Sequence, residues 1–187
     1  MEGKVRLGGR DIHTWHPSDR GQYIGYAPQL AELLPGTIAQ NISRFTEGDS
    51  NDIIDAAQKA GFHDMILRFP EGYDTRVGSG GHHLSQGQQK AISLARSFYN
   101  NLVLLVLDEP SANLDQGSLL NFLKGLKNQK SEGSVIIFST HDTRLLSLAD
   151  NIILLGNRTL KMMSTSDYLR SISPEAGRLQ GLKSEAQ

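Results

Sequence analysis

Two acidic side chains follow a short aliphatic run near the middle of the chain. Residues 102–107 (LVLLVL) are too few for a helix of their own and are typical of a strand buried on both faces of a parallel sheet. Asp108 and Glu109 then stand at its carboxyl end, where open α/β sheets bind their ligands. There Asp108 is suited to holding Mg²⁺ beside phosphate oxygens, and Glu109 to accepting a proton from an attacking water. The alternative is structural: Asp108 caps the following turn and Glu109 is solvated.

A second group of candidate residues lies just upstream. Leu84-Ser85-Gln86-Gly87-Gln88 opens a predicted amphipathic helix, whose apolar positions are Ala91, Ile92, Leu94, Ala95 and Phe98. The first N–H groups of a helix and the positive end of its dipole form an anion site, here around Ser85 to Gln88. Gly87 is expected to let the backbone approach a phosphate.

Taken together, residues 84–115 resemble the signature motif, Walker B strand, catalytic glutamate and D-loop of an ATP-binding cassette (ABC) ATPase. The resemblance extends from Val5 to about Ile172. It implies an α/β fold of the P-loop NTPase (RecA-like) class, with a parallel core sheet and a helical signature subdomain. A further alternative is a DNA-maintenance ATPase, which shares these motifs but inserts a long coiled coil between Gln29 and Ser85. No sustained heptads occur there, so that class is disfavoured.

The resemblance also implies a role for each matching residue. Contact with ATP held by a partner domain is expected of Ser85, Gly87 and Gln88. Mg²⁺ is expected to be held by Asp108 and by the Q-loop residue Gln29. Glu109 and the H-loop residue His141 are expected to be catalytic, and Asp115 to belong to the D-loop. Outside that context, a lone glutamine or histidine at a strand end is more often a surface residue. Gln86 stands where many cassettes have a glycine, and Lys90 stands where an arginine is common.

The expected domain organisation is one partial nucleotide-binding domain over residues 1–172, followed by a polar tail at 173–187. Its predicted core strands are residues 4–7, 22–27, 102–107, 134–139 and 152–155, and its helical subdomain spans about 45–98. Within that subdomain, residues 51–68 show a helical period, with Ser50 as the predicted N-cap and Gly61 as a break.

Two segments indicate the exporter branch of the family. Residues 32–42 (ELLPGTIAQNI) and 75–81 (TRVGSGG) resemble exporters, and the ATPase/permease of type I secretion systems in particular. The resemblance implies ATP as substrate, Mg²⁺ as cofactor, and two partners: a second nucleotide-binding domain and the membrane domain of an exporter. The expected location is the cytoplasmic face of the inner or plasma membrane, through a membrane domain outside these residues, or the cytoplasm if the chain is expressed alone.

One motif of the family does not occur. The 187 residues contain no G-x-x-x-x-G-K-[ST] loop, although that loop and its lysine are the main phosphate grip of P-loop ATPases. We therefore expect a carboxyl-terminal, amino-terminally truncated piece of a nucleotide-binding domain that is inactive alone. The open alternative is a non-catalytic fragment that acts only as the signature-side partner in a dimer.

Composition disfavours several other classes. With 19 basic and 20 acidic residues the net charge is −1, so no nucleic-acid partner is expected. The chain has no cysteine, which excludes disulfide, thiol and zinc-thiolate chemistry within it. Its longest apolar run, residues 102–107, is far shorter than the roughly 20 residues that span a bilayer, and its first residues show no signal peptide.

Overall fold

The computed structural model describes residues 3–30, 32–78, 81, 83–156 and 159–172. The chain divides into two compact units, residues 1–140 and residues 141–187, and each unit is described by itself. In the described ranges, no helix is both long enough and apolar enough to cross a lipid bilayer.

The first unit alternates short strands with helices. Its strands are β1 (Arg6–Leu7), β2 (Arg10–Asp11), β3 (Ile24–Ala27), β4 (Gly36–Thr37), β5 (Arg76–Val77), β6 (Leu104–Asp108) and β7 (Val135–Ser139). Its helices are α1 (Pro17–Tyr23), α2 (Ile38–Ile42), α3 (Ser50–Ala60), α4 (His63–Leu67), α5 (Gln86–Ser97) and α6 (Gln116–Ser131). Two 3₁₀ helices, Ile12–Thr14 and Gly72–Asp74, lie between them.

A three-stranded parallel sheet in the order β3-β6-β7 has the predicted acidic strand at its centre. The strands are in register, so that Ala27, Leu107 and Phe138 lie side by side. The side chains of Leu105 and Leu107 are almost fully buried, as expected for a central parallel strand. The predicted parallel strand is thus confirmed, although its regular part begins at Leu104.

The opposite face of this sheet carries exposed apolar side chains. Tyr26 is 58% exposed, Val135 50% and Ile137 56%, and the register places Tyr26 and Ile137 on either side of Val106. The sequence predicts strands buried on both faces. In the part of the chain that the structure describes, only the face of Leu105 and Leu107 is well covered.

Helices α3, α5 and α6 pack around aromatic side chains. Phe122 of α6 stacks on Phe62 with ring centroids 6.0 Å apart and meets Phe98 edge-on at 6.2 Å. Gly125 allows α6 to approach α3, because a Cβ atom there would lie 2.0 Å from the carbonyl oxygen of Lys59. Glycine lowers helix propensity, and here close packing requires it.

The predicted helix over residues 51–68 is two helices, α3 and α4. Gly61 ends α3 in the left-handed conformation, with φ of 83°, which confirms the predicted break. The predicted N-cap is wrong. Asp49, not Ser50, caps α3, because its carboxylate accepts the N–H of Asn51 at 2.9 Å and Ser50 is already helical.

Two of the five predicted core strands do not belong to the parallel sheet. The strand predicted at residues 4–7 is β1, whose partner among the described residues is β2, in an antiparallel ribbon. The strand predicted at residues 152–155 lies in the second unit, in an antiparallel hairpin. An alternating or aliphatic segment indicates a strand but does not identify the strand with which it pairs.

The second unit contains α7 (Thr143–Leu146), β8 (Asn151–Gly156), β9 (Thr159–Ser164) and α8 (Thr165–Ile172). Strands β8 and β9 form an antiparallel hairpin in which Leu155 faces Leu160 across the ribbon. These two side chains are 79% and 65% exposed. The predicted polar tail at residues 173–187 lies outside the described residues.

Candidate active site

The carboxyl ends of β3, β6 and β7 lie at one edge of the sheet, and the candidate residues Gln29, Asp108 and Glu109 are found there. β6 ends at Asp108, which pairs in register with Ser139 at the end of β7. β3 ends at Ala27, which pairs with Leu107, so that Gln29 follows the neighbouring strand by two residues. Parallel strands in register thus place Gln29 and Asp108 at the same edge, as the sequence predicts.

Ser139 connects the two acidic residues. Its hydroxyl donates to the Oδ1 atom of Asp108 and accepts the backbone N–H of Glu109 at 3.1 Å. The same N–H also points to the carbonyl oxygen of Ser139, at 3.2 Å. The sequence analysis missed this serine; the signal is a hydroxyl residue that ends an aliphatic strand next to the acidic one.

Glu109 has a left-handed backbone conformation, with φ of 42°. A non-glycine residue in this region carries strain of about 1–3 kcal/mol, which persists only where neighbouring contacts enforce it. The two contacts from Glu109 N–H to Ser139 are such contacts. The strain falls on the residue proposed as the general base, which agrees with the tendency of backbone outliers to mark functional positions.

The amino end of α5 is closed by a capping box. The Ser85 hydroxyl accepts the N–H of Gln88 at 3.2 Å, and the Gln88 side-chain oxygen accepts the N–H of Ser85 at 2.9 Å. The sequence predicts outward-facing N–H groups from Ser85 to Gln88, and two of them are therefore already used. Within the described residues, the N–H groups of Gln86 and Gly87 and the hydroxyl hydrogen of Ser85 are left to donate to a ligand.

Gly87 has a second neighbour that the sequence does not reveal. A Cβ atom at this position would lie 2.5 Å from the carbonyl oxygen of Asn113, so the D-loop backbone rests against the first turn of α5. Asn113 itself is left-handed, with φ of 64°. The predicted approach of the Gly87 backbone to a phosphate stays a prediction, and the close neighbour seen here is the backbone of Asn113.

Asp115 begins α6 as its N-cap. Its carboxylate accepts the N–H of Ser118 at 2.9 Å and the Ser118 hydroxyl at 2.7 Å. These hydrogen bonds hold the pKa of Asp115 below its ordinary value. The ends of α5 and α6 line one groove of about 850 Å³, together with Met65, Arg68 and Phe69.

Lys90 joins this helix to the edge of the sheet. Its side chain is only 1% exposed, and its Nζ atom donates to the carbonyl oxygens of Pro28 at 2.9 Å, Gln29 at 3.1 Å and Asp108 at 3.2 Å. Burial lowers the pKa of Lys90, and the charges of Asp108 and Glu109 oppose that effect. The sequence marks Lys90 only as a departure from the arginine that is common there and does not predict its contacts, although a charged residue four positions before Leu94, on the apolar side of the helix, is the signal.

His141 lies in the second unit, two residues after the end of β7. The catalytic role predicted for His141 stays a prediction. Of the predicted site residues, the first unit contains Gln29, Ser85, Gly87, Gln88, Asp108, Glu109 and Asp115.

The side chains at the sheet edge fit Mg²⁺ bound together with a nucleotide. In the described residues there is no cluster of three or more acidic, histidine or cysteine side chains that would hold a metal by itself. Mg²⁺ typically takes one or two protein oxygens and several phosphate oxygens. Asp108 has a second carboxylate oxygen beyond the one that Ser139 contacts, and Gln29 is exposed.

Comparisons with known proteins agree with this geometry. The family model described as ABC transporter matches residues 1–112. The chain is 41% identical over 168 residues to the type I secretion system ATP-binding protein PrsD of Rhizobium meliloti (strain 1021), an overlap of 89% of this chain and 29% of that protein. It is 32% identical over 157 residues to a probable ABC transporter ATP-binding/permease protein of Haemophilus influenzae, covering 83% of this chain and 28% of that protein.

A solved structure extends the similarity to the fold. A bacterial Atm1-family ABC exporter with ATP bound matches 97% of this chain and 32% of its own chain, with a TM-score of 0.78 and 28% identity. The chain belongs to the ABC transporter family and has the α/β P-loop NTPase fold of the ATP-binding domain of exporters. It spans about a third or less of the length of these relatives.

Proposed function

We propose that these residues are part of the nucleotide-binding domain of an ABC exporter, whose intact form hydrolyses ATP to drive export across a membrane. One observation carries the proposal: the signature helix, the residues after β3 and the acidic end of β6 meet at the Nζ atom of Lys90. The similarity to a type I secretion system ATP-binding protein favours protein secretion as the export process. A second nucleotide-binding domain and an exporter membrane domain are the expected partners, at the cytoplasmic face of the membrane.

Each candidate residue has a defined task in this proposal. Ser85 and the N–H groups of Gln86 and Gly87 donate to the γ-phosphate of ATP that a partner domain holds, and Gln88 keeps the helix end in shape through the capping box. Hydrogen bonds to such a charged group are worth about 1.5–3 kcal/mol each. Asp115 fixes the D-loop by capping α6.

The other half of the chemistry lies at the sheet edge. Asp108 and Gln29 are the proposed ligands of Mg²⁺, which neutralises phosphate charge when it is bound with ATP. Glu109 accepts the proton of the attacking water. The strained backbone of Glu109 is held by Ser139, which fixes the position from which the Glu109 side chain extends. His141 is proposed to contact the γ-phosphate.

The isolated 187 residues are expected neither to bind Mg-ATP tightly nor to hydrolyse it, because no lysine-containing phosphate loop occurs among them. Calorimetric titration with Mg-ATP and a phosphate-release assay test this, with Glu109→Gln as the matched variant. Micromolar binding, with turnover that Glu109→Gln abolishes, would contradict the expectation and would point to another phosphate grip within the chain.

The available donors on α5 favour a second candidate function, that of a signature-side partner only. In that role the chain completes the site of an intact homologous domain and leaves its own site without nucleotide. The test mixes it with the ATP-binding domain of a relative such as PrsD, in which the catalytic glutamate is replaced by glutamine to prevent turnover. Size-exclusion chromatography with and without Mg-ATP then measures heterodimers.

Two variants make this test specific. Ser85→Arg places a bulky side chain at the proposed phosphate contact and should abolish the ATP-dependent heterodimer. Ser131→Arg makes the same change at the exposed end of α6 and should have no effect. Heterodimers that form equally without ATP, or equally with Ser85→Arg, would refute the proposed contact in trans.

A further inference from the structure

We propose that Lys90 is a positioning residue, which fixes the signature helix α5 to the backbone of Gln29 and of Asp108. The inference rests on the proposed function, because it concerns the spacing between the two halves of the same nucleotide site. Its basis is a single nitrogen atom that donates to carbonyl oxygens of two separate segments, the one after β3 and the end of β6.

The hydrogen bonding of this ammonium group is complete. A lysine side chain has three N–H donors, and three carbonyl oxygens lie 2.9–3.2 Å from Nζ. Within the described residues no carboxylate forms an ion pair with Lys90. The hydrogen bonds of the ammonium group therefore all go to backbone carbonyl groups, while the charges of Asp108 and Glu109 act on it without a direct ion pair.

Packing alone would not favour lysine at this position. Lysine is almost never fully buried unless its charge is paired, and an apolar side chain of similar length would fill the space without desolvating a cation. An apolar side chain has no donor, however, and would leave the carbonyl groups of Pro28, Gln29 and Asp108 without this partner. The contacts of Lys90 are thus directional, and they specify how the segments are oriented.

The two oriented segments carry the proposed Mg²⁺ ligands. Gln29 directs its carbonyl oxygen inward to Lys90 while the residue as a whole stays exposed. Asp108 directs its carbonyl oxygen to Lys90 and its carboxylate to Ser139. Because Lys90 lies in α5 two residues after Gln88 of the capping box, a shift of α5 along its axis displaces both segments.

The experiment removes only the ammonium group of the side chain at position 90. The chain has no cysteine, so Lys90→Cys introduces a unique thiol, which is alkylated in denaturant before refolding. Bromoethylamine gives a side chain of the length of lysine with its ammonium group, and bromopropane gives a side chain of the same size without charge or donors. The two products differ only in this terminal group, and comparing them requires no nucleotide.

Amide hydrogen exchange is measured at Glu109, whose N–H is hydrogen-bonded to Ser139 and shares its peptide group with the Asp108 carbonyl that Lys90 contacts, with helix α3 as the internal reference. We expect wild-type exchange in the aminoethyl product and roughly tenfold or faster exchange at this amide in the propyl product, with α3 unchanged. Equal exchange in both products, or faster exchange throughout the chain, would overturn the proposal. A propyl product that fails to fold would also overturn it, since Lys90 would then support the whole fold rather than local spacing.

A measurement on the unmodified chain completes the test. Heteronuclear NMR of the lysine ammonium groups should show one Nζ signal protected from solvent exchange, and Lys90→Arg should remove it. Absence of any protected Nζ signal would overturn the three contacts. If the chain fails the ATP-dependent pairing test while these results hold, the proposed function is wrong and the positioning contact stands.

Discussion

Gly87→Ala is the substitution whose effect follows most directly from the structure. A Cβ atom at Gly87 would lie 2.5 Å from the carbonyl oxygen of Asn113, and real Cβ contacts are essentially never shorter than 3.0 Å. The obstructing atom belongs to the backbone, so either α5 or the D-loop must move. Overpacking of this kind costs about 1–3 kcal/mol, and alanine in place of glycine in a helix restores up to about 1 kcal/mol. We expect a net loss of about 1–2 kcal/mol.

Equilibrium unfolding in urea, followed by circular dichroism, measures this loss. Gly117→Ala is the matched control, because its nearest contact would be the Asp115 Oδ1 atom at 3.3 Å, which a shift of a few tenths of an ångström relieves. That variant should be neutral or slightly stabilising. In Gly87→Ala the amides of residues 111–115 should also exchange faster than in wild type. Equal stabilities for the two variants would refute the steric reasoning.

Three further predictions concern single side chains. Ser139→Ala removes the hydroxyl between Asp108 and Glu109 and should lower the free energy of unfolding by about 1 kcal/mol; an unchanged urea midpoint would contradict this. Burial raises the pKa of Tyr73 to about 12. When the tyrosinate absorbance is titrated against pH, the difference between wild type and Tyr73→Phe should therefore have its midpoint near that pH. Because this pKa is raised on folding, the stability contributed by neutral Tyr73 is complete below the ordinary value of about 10 and is lost as the pH rises toward 12; a midpoint at the ordinary value would count against it. Asp115→Ala should cost about 1 kcal/mol at neutral pH through the lost N-cap. Since hydrogen bonds from Ser118 lower the pKa of Asp115, the wild-type advantage should disappear as acid takes the pH below that lowered pKa, and an advantage that persists there would contradict the assignment.

The parts of the site that the sequence predicts are those with a local signal. The aliphatic run before Asp108 indicates a buried strand, and the helical period after Ser85 indicates helix α5, although the capping box that uses two of its first N–H groups is not predicted. The parallel pairing of β3 with β6, which the sequence does not identify, places Gln29 at the same edge of the sheet as Asp108. The fold class, which the resemblance to ABC ATPases implies, is confirmed by the match to an exporter structure.

The contacts that the sequence does not predict join residues far apart in the chain. Lys90 bonds to residues 28 and 29 on one side and 108 on the other, and Ser139 reaches back to Asp108. The Gly87–Asn113 approach depends on how α5 and the D-loop pack. None of these contacts leaves a periodic trace, because each depends on the orientation of one side chain or one carbonyl group.

NMR of the amide groups at the start of α5 can show directly whether this helix binds a phosphate held by another domain. The isotope-labelled chain is mixed with the unlabelled ATP-binding domain of a relative, and the backbone N–H signals of Gln86 and Gly87 are followed by NMR. We expect both signals to move when Mg-ATP and the partner domain are present together. Neither Mg-ATP alone, nor the partner domain alone, nor the partner domain with Mg-ADP should move them. Shifts confined to residues outside the signature helix, or equal shifts with Mg-ADP, would contradict this expectation.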